Sequence, residues 1–313
     1  MSASLAFVFP GQGSQSVGML AELASEFPEV EQTFAEASAA LGYDLWQRVQ
    51  NGPESELQLT AVTQPAMLTA GVAVWRAWLA AGGPAPAVMA GHSLGEYSAL
   101  VCAGALPFAQ AVQLVRQRGE FMQQAVPVGA GAMAAVLGLD RSAVEAACAS
   151  ATTADEIVAV ANYNAPPQSV IAGHTAAVQR ASAAAQAAGA KRVVPLPVSA
   201  PFHCALMRPA AAALTPALQA ASIAAPAVPV INNVDVATVS EPAAIRDALI
   251  RQIYSPVRWV EVIEAMASRG VTHVVECGPG KVLAGLTKRI CGELDSLAVQ
   301  DSASLRQALA ALG

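Results

Sequence analysis

The chain has 313 residues, of which 54% are hydrophobic and 13% charged, with a formal net charge of −6. That length and balance support a large buried core with room for a smaller inserted unit, and they exclude a disordered chain. The acidic surplus argues against a phosphate-backbone binder, so no nucleic-acid partner is expected.

The elements read as follows in chain order. Leu5 to Phe9 is a short apolar run that stops at Pro10; with no basic residues before it, it is too short for a signal peptide and predicts a buried strand. Residues 57–75 carry no charge and approach one membrane span in length, but Gln58, Thr60, Thr63, Gln64 and Pro65 interrupt them. A buried helix of a cytoplasmic chain is predicted there, with no membrane partner. Residues 87–90 predict a strand running into Gly-His-Ser, and 96–103 a helix. Pro107 opens an amphipathic helix. Residues 129–139, 157–162, 168–172 and 192–198 read as strands, with helices at 142–151 and 175–188. That βαββαβ order is the ferredoxin-like arrangement. Strands are again predicted at 227–231, before Asn-Asn, and at 272–276, before Cys-Gly-Pro-Gly. The expected fold class is α/β: a large parallel-sheet domain from 1–126 and 199–313, with an inserted ferredoxin-like domain at 127–198. Active sites in parallel sheets lie at the carboxyl ends of the strands, where these turns fall.

The cysteines, Cys102, Cys148, Cys204, Cys277 and Cys291, are widely spaced and include no C-x-x-C pair. Reduced thiols are expected, and neither a disulfide framework nor a metal site. Gly11-Gln12-Gly13-Ser14-Gln15-Ser16 lacks the third glycine of a dinucleotide fingerprint, and Gly278-Pro279-Gly280-Lys281 lacks the earlier glycine of a phosphate loop.

Gly91-His92-Ser93-Leu94-Gly95 fits the G-x-S-x-G nucleophile elbow, with the required strand before it and helix after it. The bland alternative is a tight turn with an ordinary serine. A serine nucleophile needs a base. His92 lies inside the elbow, with its ring expected to point away from the serine. His174 opens a helix, and His273 sits in a strand expected to be buried. His203, after a strand and a Pro-Phe turn, is the best candidate base. On the helix opened by Pro107, Ala111, Leu114, Val115, Phe121 and Met122 share one face, and Arg118 falls among them. An inward arginine needs an anion. That anion is either an internal carboxylate, with snorkelling to the surface as a further option, or the carboxylate of a substrate.

These residues resemble a known family. Gly11-Gln12-Gly13-Ser14-Gln15, Gly91-His92-Ser93-Leu94-Gly95-Glu96-Tyr97, Gln117-Arg118-Gly119 and Phe202-His203 follow the order of the malonyl-CoA:acyl carrier protein transacylases. Asn162-Tyr163-Asn164, Ile231-Asn232-Asn233 and Cys277-Gly278-Pro279-Gly280 extend the resemblance over essentially the whole chain. It implies an α/β-hydrolase-like large domain with a ferredoxin-like insert. It also implies a malonyl ester on Ser93, His203 as base and acid, an oxyanion hole from the N–H groups of Gln12 and Leu94, and Arg118 on the malonyl carboxylate. The Gln252 carbonyl would orient the histidine. Phe202, Met122 and Met133 would line the acyl pocket, with Phe202 crowding a branching methyl. The substrates implied are malonyl-CoA and the phosphopantetheine thiol of holo-acyl carrier protein, with no bound cofactor, for type II fatty acid synthesis in a monomer. Lys191, Arg192, Lys281, Lys288 and Arg289 are candidates for the surface that meets an acidic carrier protein. The competing readings are a discrete acyltransferase of a polyketide synthase, a serine esterase or thioesterase, and a non-enzymatic carrier-binding module.

Overall fold

Short, mostly apolar runs become the strands of the molecule. They are β1 (Leu5–Phe9), β2 (Val88–Gly91), β3 (Gly131–Leu137), β4 (Val158–Ala165), β5 (Gln168–His174), β6 (Arg192–Pro195), β7 (Val230–Ile231), β8 (His273–Cys277) and β9 (Asp295–Val299). The computed structural model describes residues 4–198 and 200–312, so the expected domain ends at 1, 199 and 313 fall outside it.

The larger sheet has five strands in the order β7-β2-β1-β8-β9, and its paired strands are all parallel. Central β1 is buried along its whole length, as a strand covered on both faces must be. Helices cover both faces. The helix Thr60–Ala80, which holds most of the uncharged stretch, is almost wholly buried. Among the described residues, no helix is long and apolar enough to cross a membrane. The cysteines are all free thiols.

The smaller sheet runs β4-β5-β3-β6, with antiparallel neighbours throughout. With the helices Arg141–Ala151 and Thr175–Ala187 on one face, it has the ferredoxin-like arrangement. Alternation decides which core each side chain joins. Ala134, Val136 and Ile171 pack with Val144 and Val178 in the small unit's own core. Met133, Val170 and Ala172 point the other way, into the core of the large unit. The small sheet therefore lies between its own helices and the core of the large unit.

Several expected bounds shift. The strand expected at 227–231 is reduced to Val230–Ile231, because Pro229 has no N–H to give the ladder. The strand expected at 192–198 ends at Pro195. β9 was not expected: Asp295 and Ser296 break its apolar run, and it lies at the sheet edge.

Candidate active site

Parallel pairing brings two turns together. Phe9 of β1 pairs with Gly91 of β2, and the His92 N–H donates to the Phe9 carbonyl at 2.9 Å. The loop carrying Gln12 and the turn carrying Leu94 therefore leave the sheet side by side. Glycine is required here by close approach. A Cβ on Gly91 would strike the Gly95 carbonyl, and a Cβ on Gly95 would strike the Phe9 carbonyl oxygen. Ser93 itself adopts the left-handed region, φ 53°, which costs a non-glycine residue about 1–2 kcal/mol. The Asn233 side chain helps hold that turn: its Oδ1 accepts from the Ser93 N–H at 2.7 Å, and its Nδ2 donates to the Gly91 carbonyl at 2.7 Å.

His203 is the second strained residue, with φ 59°, and it is 4% exposed. Its Nε2 lies 2.7 Å from Ser93 Oγ, and its Nδ1 lies 2.9 Å from the main-chain oxygen of Gln252. A carbonyl only accepts, so Nδ1 carries the ring proton and Nε2 presents its lone pair to the serine hydroxyl. Burial, with the charge of Arg118 second, holds the imidazole down at about 3, so it is a neutral acceptor at physiological pH.

The other histidines are occupied elsewhere. His92 Nε2 donates to Asn164 Oδ1 at 2.8 Å, and its ring packs edge-on to Trp259. His174 Nδ1 accepts from the Ile157 N–H at 2.9 Å. His273 is half-buried rather than a core residue, with Nδ1 2.9 Å from Thr272 Oγ1 and Nε2 3.4 Å from Asp295.

The helix Phe108–Gln124 packs closely on Thr60–Ala80, because Gly119 has no side chain: a Cβ there would lie 2.7 Å from the Thr60 carbonyl oxygen. Arg118 is thereby buried, 1% exposed, and held over the serine. Nη1 donates to Gln64 Oε1 at 2.8 Å, and Nη2 donates to Gln252 Oε1 at 3.0 Å and to Ser93 Oγ at 3.1 Å. These acceptors are neutral. Neither an internal salt bridge nor snorkelling accounts for Arg118: among the described residues it forms no ion pair. Its Nε is buried with no hydrogen-bond partner. Burial lowers its pKa, and a buried guanidinium with spare donors is a site for an anion.

The remaining expected residues divide into two groups. Phe202, Met122 and Met133 all join the apolar cluster of the large unit, and Gln64 Nε2 lies 3.8 Å from Met122 Sδ. Lys191, Arg192, Lys281, Lys288 and Arg289 are exposed, and Arg289 Nη1 donates to Gln168 Oε1 across the two units at 2.9 Å. Sequence reasoning gave no role to Gln64, Asn164, Asn233 or Glu96, although all are polar groups on elements beside the elbow. Glu96 is 2% exposed and accepts from Gln252 Nε2 at 2.8 Å.

Together these groups supply a serine hydroxyl, a neutral base and a buried cation, the parts needed for acyl transfer from a carboxylated thioester. Residues 6–305 match the family described as an acyl transferase domain. The malonyl CoA-acyl carrier protein transacylase of Salmonella typhimurium is 60% identical over 97% of this chain and 98% of that protein. That of Bacillus subtilis is 46% identical over 99% of this chain and 98% of its own length. The solved structure of the Coxiella burnetii malonyl CoA-acyl carrier protein transacylase superposes with a TM-score of 0.98 at 52% identity, covering 100% of this chain and 98% of that one. A malonyl-transacylase solved in complex with a type II polyketide acyl carrier protein gives a TM-score of 0.97 at 56% identity over 99% of this chain and 100% of that one. The chain belongs to the acyl transferase family, and within it to the malonyl-CoA:acyl carrier protein transacylases.

Proposed function

We propose that this chain moves the malonyl group from malonyl-CoA to the phosphopantetheine thiol of an acyl carrier protein through an ester on Ser93. The observation that carries this reading is Arg118, a buried cation with neutral partners whose Nη2 touches the serine hydroxyl. An esterase for neutral substrates has no use for it.

The steps follow from the contacts. The malonyl carboxylate takes the guanidinium and draws it off Ser93 Oγ. The oxygen attacks the thioester carbon while its proton passes to His203 Nε2. Nδ1 stays bonded to the Gln252 carbonyl, which orients the ring without an acidic third member. The developing oxyanion is received by the N–H groups of Gln12 and Leu94, the latter at the head of the helix Gly95–Cys102. Collapse breaks the C–S bond, and His203 returns the proton to the CoA sulfur. In the second half the carrier thiol gives its proton to His203, its sulfur attacks the ester, and Ser93 leaves with that proton. This exchange needs no resident cofactor or metal.

Phe202, Met122 and Met133 line the acyl pocket. Rejection of a single branching methyl by Phe202 is worth about 1–3 kcal/mol. Lys191, Arg192, Lys281, Lys288 and Arg289 receive the acidic carrier. The chain acts as a monomer in the cytoplasm. The division into a catalytic unit, 1–126 with 199–313, and an insert, 127–198, belongs to the same reading and is supported by the separate core of the small sheet. The pathway is type II fatty acid synthesis. A polyketide carrier is the second reading, favoured by the complex of the 56% identical transacylase.

Intact-mass spectrometry tests the function. Incubation with malonyl-CoA should add one malonyl group at Ser93, and holo-carrier protein should remove it. Discharge to water as fast as to the carrier would make the chain a hydrolase instead.

A further inference from the structure

One buried carboxylate in this site has no part in the steps above. Glu96 lies in the first turn of the helix Gly95–Cys102, behind the serine turn. Its Oε2 accepts from the Asn233 N–H at 2.9 Å and from Gln252 Nε2 at 2.8 Å. Both residues also reach Ser93: Asn233 Oδ1 accepts from the Ser93 N–H, and the same Gln252 Nε2 donates to the Ser93 carbonyl at 3.0 Å.

Gln252 is the junction. The N–H end of its side-chain amide faces Glu96, the C=O end accepts from Arg118 Nη2, and its main-chain oxygen holds His203 Nδ1. An anion and a cation thus sit at opposite ends of one amide dipole, and each strengthens the other's hydrogen bond. A direct Glu–Arg pair would occupy the guanidinium fork. The relay balances the charge of Arg118 and leaves donors for a ligand carboxylate.

We propose that Glu96 is a positioning residue and the counter-anion of the site: through Gln252 it offsets Arg118 and favours the protonated His203 that forms each time the serine gives up its proton. This rests on the malonyl-transfer reading. When His203 takes that proton, a second positive charge appears beside a buried arginine. The other charged groups facing Glu96 do not take its place. Arg118 on the helix Phe108–Gln124 is the charge to be balanced. Asp235, on the loop after β7, is held by Arg251 at 2.7 Å. Neighbouring Tyr97 is buried and pushed up to about 12, so it is neutral.

The pH dependence follows. Burial pushes the Glu96 carboxyl up to about 7, against the pull of its hydrogen bonds from Gln252 and Asn233 and of the Arg118 charge. The resting His203 sits at about 3. An acid limb near neutrality in the acylation rate therefore belongs to Glu96. Below it Glu96 is neutral and the imidazolium loses its counter-charge.

The test is the single-turnover rate of Ser93 loading by malonyl-CoA, measured between about pH 5.5 and 8.5 as a titration of the essential groups. Wild type should show an acid limb near pH 7. Glu96→Gln should be slower by about tenfold at pH 8, the equivalent of one pKa unit on the base, and flat across the range. Glu96→Asp, which keeps the charge, should keep a limb at a shifted position. Glu276 is a control: it is also buried and pushed up to about 7, but its Oε2 accepts from the Ala284 N–H at the head of Val282–Ile290. Glu276→Gln should leave the limb where it was. Loading of wild type with an unchanged limb in Glu96→Gln overturns the role of Glu96 alone. If that variant does not fold, a limb that Glu96→Asp fails to move overturns it equally. Failure of wild type to load at all overturns the malonyl-transfer reading and this proposal with it.

Discussion

The two sheets are built from the same kinds of residue and use them in opposite ways. In the five-stranded sheet the paired strands are parallel, so the carboxyl ends of β1, β2 and β7 open on one edge and deliver Gln12, Ser93 and Asn233 to one place. In the four-stranded sheet neighbours run antiparallel, and no edge collects strand ends of one kind. Its contribution comes through one face and the end of β4: Met133, Val170 and Ala172 against the large core, and Asn164 on His92. Polarity of the strands, rather than composition, separates the sheet that gathers the proposed catalytic residues from the sheet that packs beside them.

The sharpest way to break that division is to remove the base. His203→Ala should slow Ser93 loading by about 10²–10⁴-fold, the usual worth of a positioned general base. Stopped-flow release of CoA measures it. A loss below tenfold would mean that the large unit does not hold the base where Ser93 Oγ meets Nε2.

Arg118→Ala comes next. It should lower malonyl loading by about two to four decades, the equivalent of about 3–5 kcal/mol, which is what breaking a buried charge pair costs. Acetyl loading should fall far less, because acetyl brings no anion and Ser93 Oγ loses a competing donor. Competition between malonyl-CoA and acetyl-CoA, read by intact mass, gives the ratio. Equal losses would remove the carboxylate clamp.

The same division explains what the sequence made legible. The elbow could be read because glycine spacing, a preceding apolar run and a following helix are local signals, and the run read at 87–90 is observed as the strand Val88–Gly91. Arg118 could be read because helical periodicity is local. The ferredoxin-like order was legible from alternation alone. What escaped were partners fixed by tertiary approach. Gln64 lies on a different helix from Arg118, brought near by the missing Cβ of Gly119. Asn233 follows a strand shortened by proline, and Glu96 looked like one more residue of a buried helix. Neither has a periodicity that marks it. Position alone favours His203 among the four histidines only modestly, and the family resemblance carries most of that choice, since its left-handed backbone, φ 59°, cannot be read from a non-glycine residue.

The smallest expected effect tests the walling role. Asn164 projects from β4 of the small sheet and accepts from His92 Nε2 at 2.8 Å, the residue beside the nucleophile. Asn164→Ala leaves the His92 donor without its partner, at a cost of about 1–3 kcal/mol in stability, readable as a lower urea midpoint. The elbow keeps its other supports, Asn233 on the Ser93 N–H and Gln252 on the Ser93 carbonyl, both from the large unit. Loading should therefore stay within about threefold of wild type, less than about 0.7 kcal/mol in the barrier. A tenfold loss with an unchanged midpoint would place the small sheet inside the chemistry, because the elbow would then depend on a bond that only the insert supplies.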